Sequence, residues 1–204
     1  YTGLLLGTLV ATGLFADLLQ RDAPSPRRVW GYALAMALTV VTHVTALVVL
    51  AGHGLVWLWK ARSLPTARRR WAPFAALSLA GTIAATCLAP VLPQLLGALG
   101  SSGTSVGGAT WQRPGWFVVE AITGLVLGLP AGIVVVPLAA IVVTAGIANA
   151  MRRERTTALL MLLPMGIMAG LLLATGHNLW PRFFFFGAAF VVLWAVHGGF
   201  VVLG

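Results

Sequence analysis

The stretch "HNLWPRFFFF", residues 177–186, sets His177, Asn178, Trp180 and Arg182 against four consecutive phenylalanines. Pro181 suits the first position of a helix, where its missing N–H costs nothing, and this places Arg182 in the first turn. A cation beside the positive end of a helix dipole is mildly unfavourable and calls for an anionic partner. A guanidinium next to open helix N–H groups is a receptor for phosphate, with a bidentate geometry that lysine does not supply. The plainer alternative is an interface anchor, with Trp180 in an aromatic belt and Arg182 reaching lipid headgroups.

Other polar candidates are sparse. His43, with Thr42 and Thr45 beside it, can donate a hydrogen bond to a phosphate, or can serve as a capped structural residue. Glu120, in "WFVVEAITG", is a carboxylate inside an apolar segment, which is costly unless it is paired or hydrated. It can bind a sugar hydroxyl or a metal, or it can snorkel to the interface or pair with Arg113. His53 and His197 read as packing or interfacial residues. Four scattered histidines without carboxylates at ligand spacing make no metal site, and whether a divalent cation takes part stays open. Lone Cys87 implies no disulfide framework and reads as a small buried hydrophobe. Gly3 with Gly7, and Gly124 with Gly128, have the spacing that lets helices approach closely. Walker loops, HExxH and CxxC are missing.

The elements that must hold these residues follow from composition. Charged residues make up 8% of the 204 and hydrophobic ones 59%, against about a quarter charged in a soluble domain. The class is all-α, a polytopic transmembrane helical bundle. Long apolar runs without strict alternation exclude a β-barrel. The net charge of +9 does not signal nucleic acid, because eleven of the thirteen Lys/Arg fall in three short clusters between apolar segments. These are Arg21, Arg27 and Arg28; Lys60, Arg62, Arg68, Arg69 and Arg70; and Arg152, Arg153 and Arg155. The positive-inside rule assigns all three to the cytoplasm and leaves Arg113 and Arg182 outside.

That assignment predicts spans at 1–20, 71–92, 116–150, 156–175 and 183–204, with 116–150 split at Pro130 into a short interfacial helix and a full span. Residues 29–59 exceed one crossing and would strand a basic loop outside, so they predict a hairpin of two short arms turning at "VTHVT", with His43 at the outer tip. About seven membrane segments result. The stretch 93–115 is an external loop with a Gly/Ser-rich middle. The chain is one integral membrane domain, and its start at Tyr1 reads as an excerpt of a longer protein.

Three of these stretches, "YTGLLLGTLVATGLFADLL", "RRVWGYALAMALTVVTHVTALVVLAGHGLVWLW" and "NLWPRFFFFGAAF", resemble the polyprenyl-phosphate-sugar-dependent glycosyltransferases of the GT-C class. That superfamily includes the protein O-mannosyltransferases and the aminoarabinose transferase. The resemblance implies a multi-pass enzyme of the plasma (inner) membrane and the cell envelope, a hexosyl- or pentosyltransferase. It would move a sugar from a polyprenyl-phosphate donor to a lipid, protein or glycan acceptor on the extracytoplasmic side. Arg182, and with it His43 and His177, would hold the carrier phosphate. The external loop, with Trp111, Arg113 and Trp116, would face the substrate. The family's acidic motif lies between the first two spans, so the excerpt would lack the N-terminal span and first extracytoplasmic loop. Glu120 does not match that motif, and the catalytic carboxylate is expected outside this chain. A polytopic transporter or lipid flippase subunit is the alternative; it calls for ionisable residues at the midplane and paired repeats. A structural membrane subunit is a third reading.

Overall fold

The computed structural model describes residues 2–21, 24–100 and 113–204, and no strand occurs among them. The chain is an all-α polytopic bundle of a multi-pass membrane protein. Among the described residues six helices are long and apolar enough to cross a membrane: Thr2–Gln20, Val44–Ala61, Arg69–Gln94, Gly132–Arg153, Arg155–Ala174 and Pro181–Leu203. The shorter Pro114–Gly128 is apolar as well.

The first helix, α1 (Thr2–Gln20), lies against α2 (Pro26–Thr42) in an antiparallel register. Glycines allow this. A Cβ on Gly7 would fall on the Oγ1 of Thr39, and one on Gly3 would meet Thr42 Cγ2 at 3.5 Å. At the far end of the same pair Asp17 accepts from Arg21 Nε and Arg28 Nη1, both at 2.5 Å. The hairpin predicted around "VTHVT" is present. His43, with extended backbone, ends α2, a 3-10 turn Val44–Ala46 follows, and α3 (Leu47–Ala61) returns. Its arms are longer than expected, because α2 starts at Pro26 and the returning arm holds 18 residues, about 27 Å at 1.5 Å per residue.

Helix α4 (Ala67–Leu88) starts at Thr66, whose hydroxyl accepts from Arg69 N, and packs along α2. Where a loop was expected from residue 93, the helical course continues through the 3-10 turn Ala89–Val91 and α5 (Leu92–Gly100). The split at Pro130 is present too, into α6 (Pro114–Gly128) and α7 (Gly132–Arg153). Between them Ala131 adopts φ 53°, the left-handed region. Glu154 alone separates α7 from α8 (Arg155–Ala174). A 3-10 segment, Pro181–Gly187, then leads into α9 (Ala188–Leu203).

Two close contacts had no spacing motif to announce them. A Cβ on Gly146 of α7 would fall on Trp194 O, and one on Gly198 of α9 would fall on Val142 O. The two backbones therefore touch, as small residues permit in a bilayer where apolar surface alone gives no reason to associate. Gly52 of α3 receives the ring of Pro164 from α8 in the same way, its built Cβ lying 2.8 Å from Pro164 Cγ. Gly124 and Gly128 of α6, in contrast, meet nothing within 4 Å, so their spacing marks no contact. Cys87 is exposed on α4 and not buried as expected.

The three basic clusters gather at one end of the bundle. Arg69 donates to Gln20 O at the end of α1, Trp57 Nε1 donates to Arg70 O, and Lys60 Nζ donates to Thr156 Oγ1 at the start of α8. The guanidinium of Arg155 lies over the Trp59 ring. The core runs from here to the opposite end around α1, with Leu4, Phe15, Tyr32, Met36, Phe186 and Phe190 fully enclosed.

Candidate functional site

The end opposite the basic clusters gathers most of the polar residues singled out in the sequence. Its floor is the junction of α8 with the Pro181–Gly187 segment. Helix α8 closes with Gly176 at φ 67°, and His177 N donates to Leu172 O while Gly176 N donates to Leu173 O. This paired closure satisfies the last carbonyls of the helix and needs a left-handed residue, which glycine supplies without strain. It also fixes His177. Its Nδ1 lies 3.1 Å from Thr175 O and 2.9 Å from Thr175 Oγ1. A carbonyl only accepts, so Nδ1 carries the proton and Nε2 is turned away from this contact.

Trp180 and Pro181 begin a 3-10 segment of seven residues, and the α-helix starts only at Ala188. Arg182 is therefore in the first turn of a 3-10 segment and not of an α-helix. Its guanidinium lies 5.8 Å from the Trp180 ring centre and 5.3 Å from that of Phe183. Arg182 is exposed and makes no ion pair among the described residues. Three residues per turn spread the phenylalanines unevenly. Phe186 is enclosed in the core, Phe183 and Phe184 are half-buried and Phe185 is exposed, so the run does not face lipid as a whole.

The hairpin tip reaches the same place. The turn Val44–Ala46 packs against Pro181–Gly187, as do α1 and α9. His43, half-buried at the tip, accepts at Nδ1 from Thr45 N (3.4 Å), and Thr45 Oγ1 lies 2.7 Å from the same nitrogen. The α6 end joins through Phe117, whose ring is 5.6 Å from that of Phe184. Trp116 is next to it, and Arg113 is the exposed residue before the helix. Trp111 and most of the Gly/Ser-rich stretch lie outside the described residues. Glu120, one turn beyond Trp116, is exposed and forms no ion pair with Arg113.

Asn178 is the residue whose environment the sequence does not display. It is 5% exposed, and neither its Oδ1 nor its Nδ2 has a hydrogen-bond partner among the described residues. A buried amide left wholly unsatisfied is uncommon. Thr8 Oγ1 on α1 is likewise buried without a partner.

No family model, no curated protein and no solved structure matches this chain. The site therefore has to be read from its own chemistry. It joins an exposed guanidinium, two histidines fixed by threonines and an unsatisfied amide at the mouth of an apolar bundle. Such a set suits an anion carried on an apolar tail. Among the described residues no three His, Cys, Asp or Glu side chains converge as metal ligands.

A second polar group lies midway along the bundle. His53 is fully buried, with Nε2 3.2 Å from Thr12 Oγ1 and Nδ1 3.1 Å from Tyr32 Oη. Its ring stacks on Phe15 at 4.9 Å. Packing was the expected role for His53, but these contacts tie three helices through a single imidazole. His197, also expected to pack, lies 2.8 Å from Asn149 Nδ2 at its Nε2.

Proposed function

We propose that this chain binds a polyprenyl-phosphate-linked sugar and works in a membrane glycosyltransferase, transferring the sugar to a lipid, protein or glycan acceptor on the extracytoplasmic side. The observation that carries the reading is the packing of the His43 hairpin tip against the segment bearing Arg182, at the end away from the basic clusters. With the basic end in the cytoplasm, this site faces the other side, and the membrane is the plasma (inner) membrane. In glycosyl transfer the bond between the sugar's anomeric carbon and the phosphate oxygen breaks, and its electron pair leaves with the phosphate. Positive character develops on the sugar while the acceptor hydroxyl attacks and gives its proton to the catalytic carboxylate expected elsewhere in the full-length protein. A guanidinium fixed beside the departing phosphate stabilises the charge that grows there. His43, which accepts at Nδ1, adds a donor at Nε2, Asn178 offers both a donor and an acceptor, and His177 and Trp116 with Arg113 border the same end. The prenyl tail lies along the apolar exterior.

The test is binding and turnover in nanodiscs. Arg182→Ala is expected to lower affinity for a polyprenyl-phosphate sugar by about tenfold or more, the scale of one charge-assisted bidentate contact, with thermal stability unchanged. In the full-length protein, transfer of labelled sugar falls accordingly. Equal binding by wild type and variant would remove the assignment.

One observation favours the alternative of a transporter or lipid flippase subunit: His53 sits midway along the bundle, where that class keeps ionisable residues. Counterflow of a labelled lipid-linked sugar across sealed vesicles, lost in His53→Leu and retained in Arg182→Ala, would establish that reading instead.

A further inference from the structure

At the basic end, an open groove of about 340 Å³ runs between α2 and α4. Its walls are apolar: Pro26, Val29 and Trp30 on one side, Trp71, Ala72 and Ala75 on the other. Trp30 and Trp71 are 52% and 63% exposed, so two large aromatic rings flank the groove without being covered by the protein. Indole rings of this kind collect at the depth of lipid headgroups, where one edge is apolar and the other wet.

The charge at this rim is unbalanced. Asp17 has both carboxylate oxygens engaged, one by Arg21 and the other by Arg28. Arg27, in the same helical turn as Pro26, Val29 and Trp30, is exposed and has no ion pair among the described residues. It also stands at the positive end of α2, which has no acidic residue in its first turn. Two positive terms therefore meet beside an apolar trough, and no anion among the described residues answers them.

We infer that this groove is a binding site for one anionic phospholipid, with the headgroup phosphate at Arg27 and an acyl chain laid along Val29, Ala72 and Ala75 between the two tryptophans. Charge complementarity selects an anion, and the apolar walls select one that carries a hydrocarbon chain. A free phosphate would leave the trough empty, and a zwitterionic lipid would bring its own cation to the rim. The site is at the opposite end from the proposed carrier site and does not depend on it.

The experiment uses the purified chain reconstituted in phosphatidylcholine vesicles, with tryptophan quenching by acyl-brominated phosphatidylglycerol or acyl-brominated phosphatidylcholine at equal mole fraction. Wild type minus the Trp30→Phe/Trp71→Phe variant isolates the signal of the groove. The expected result is about a fivefold preference for phosphatidylglycerol, the contribution of one basic side chain at an anionic surface. Arg27→Gln removes the preference, while Arg152→Gln, at the same end on α7, leaves it intact. Ala72→Phe fills the trough with every charge in place and is expected to abolish binding as well, so the assignment stays testable if Arg27→Gln fails to insert. Equal quenching by the two lipids, or loss of the preference to the same degree in Arg152→Gln, overturns the site. Competition by millimolar inorganic phosphate overturns it too, since a headgroup-only contact would then suffice.

Discussion

The phenol oxygen of Tyr32 lies 3.1 Å from Nδ1 of His53, and the two residues sit at nearly equal distances before and after His43 at the hairpin tip. The turn thus returns the chain in a register that closes a hydrogen bond about three helical turns below it. Thr12 Oγ1 lies 3.2 Å from Nε2, so both ring nitrogens have partners. A neutral imidazole, donating at one nitrogen and accepting at the other, satisfies both neighbours.

Removing one partner tests this. Tyr32→Phe leaves Nδ1 of a buried ring unmatched and is expected to destabilise the bundle by about 1 kcal/mol, within the range measured for hydrogen bonds between membrane helices. Pairing it with Thr12→Val in a double-mutant cycle of unfolding in bicelles should show coupling, because both act through the same imidazole. Strict additivity would mean that the contacts are independent.

Helix α1 reaches α2 at Gly7, where a methyl group would overlap Thr39 Oγ1. Gly7→Ala is expected to cost about 1–3 kcal/mol, the usual penalty for overpacking. Thr39→Ala in the same chain removes the hydroxyl and restores part of it. A thermal-unfolding series in detergent reads both steps, and an undisturbed Gly7→Ala would contradict the closeness of the two helices.

Asn178 gives a prediction of opposite sign. Replacing a buried, wholly unsatisfied amide by an isosteric apolar group removes its desolvation penalty, so Asn178→Leu should stabilise the ligand-free protein by about 1–3 kcal/mol. The same change should weaken binding of a polyprenyl-phosphate sugar. Gain of stability with loss of affinity distinguishes a ligand-facing amide from one that merely packs.

Ala131 holds φ 53° between α6 and α7, a conformation that costs a residue with a Cβ about 1–2 kcal/mol. Ala131→Gly is expected to raise the melting temperature measurably and Ala131→Val to lower it. A reversed order would show that the turn is not strained there.

The architecture was legible because a bilayer imposes simple rules on composition. Apolar length located the spans, and the three basic clusters, which the structure gathers at one end, set their alternation. The tip at His43 followed from a segment too long for one crossing. What could not be read lay in interhelical contacts. Gly3 with Gly7 marks a true approach, while Gly124 with Gly128 has the same spacing and meets nothing. Gly146 and Gly198, more than fifty residues apart, let the backbones of α7 and α9 meet. Spacing within one helix does not say which helix stands opposite. At the site, Pro181 marked the start of a helical segment correctly but not its 3-10 form. The burial of Asn178 depends on its neighbours in space and had no local signature.

Glu154 is the whole connection between α7 and α8, flanked by Arg153 and Arg155. With a single residue of slack, neither helix can reach its final depth without the other following closely. The pair is therefore suited to enter the bilayer as one unit during synthesis. Arginines on either side of the bend favour its staying at the surface, and α9 packs on the wall that α7 offers.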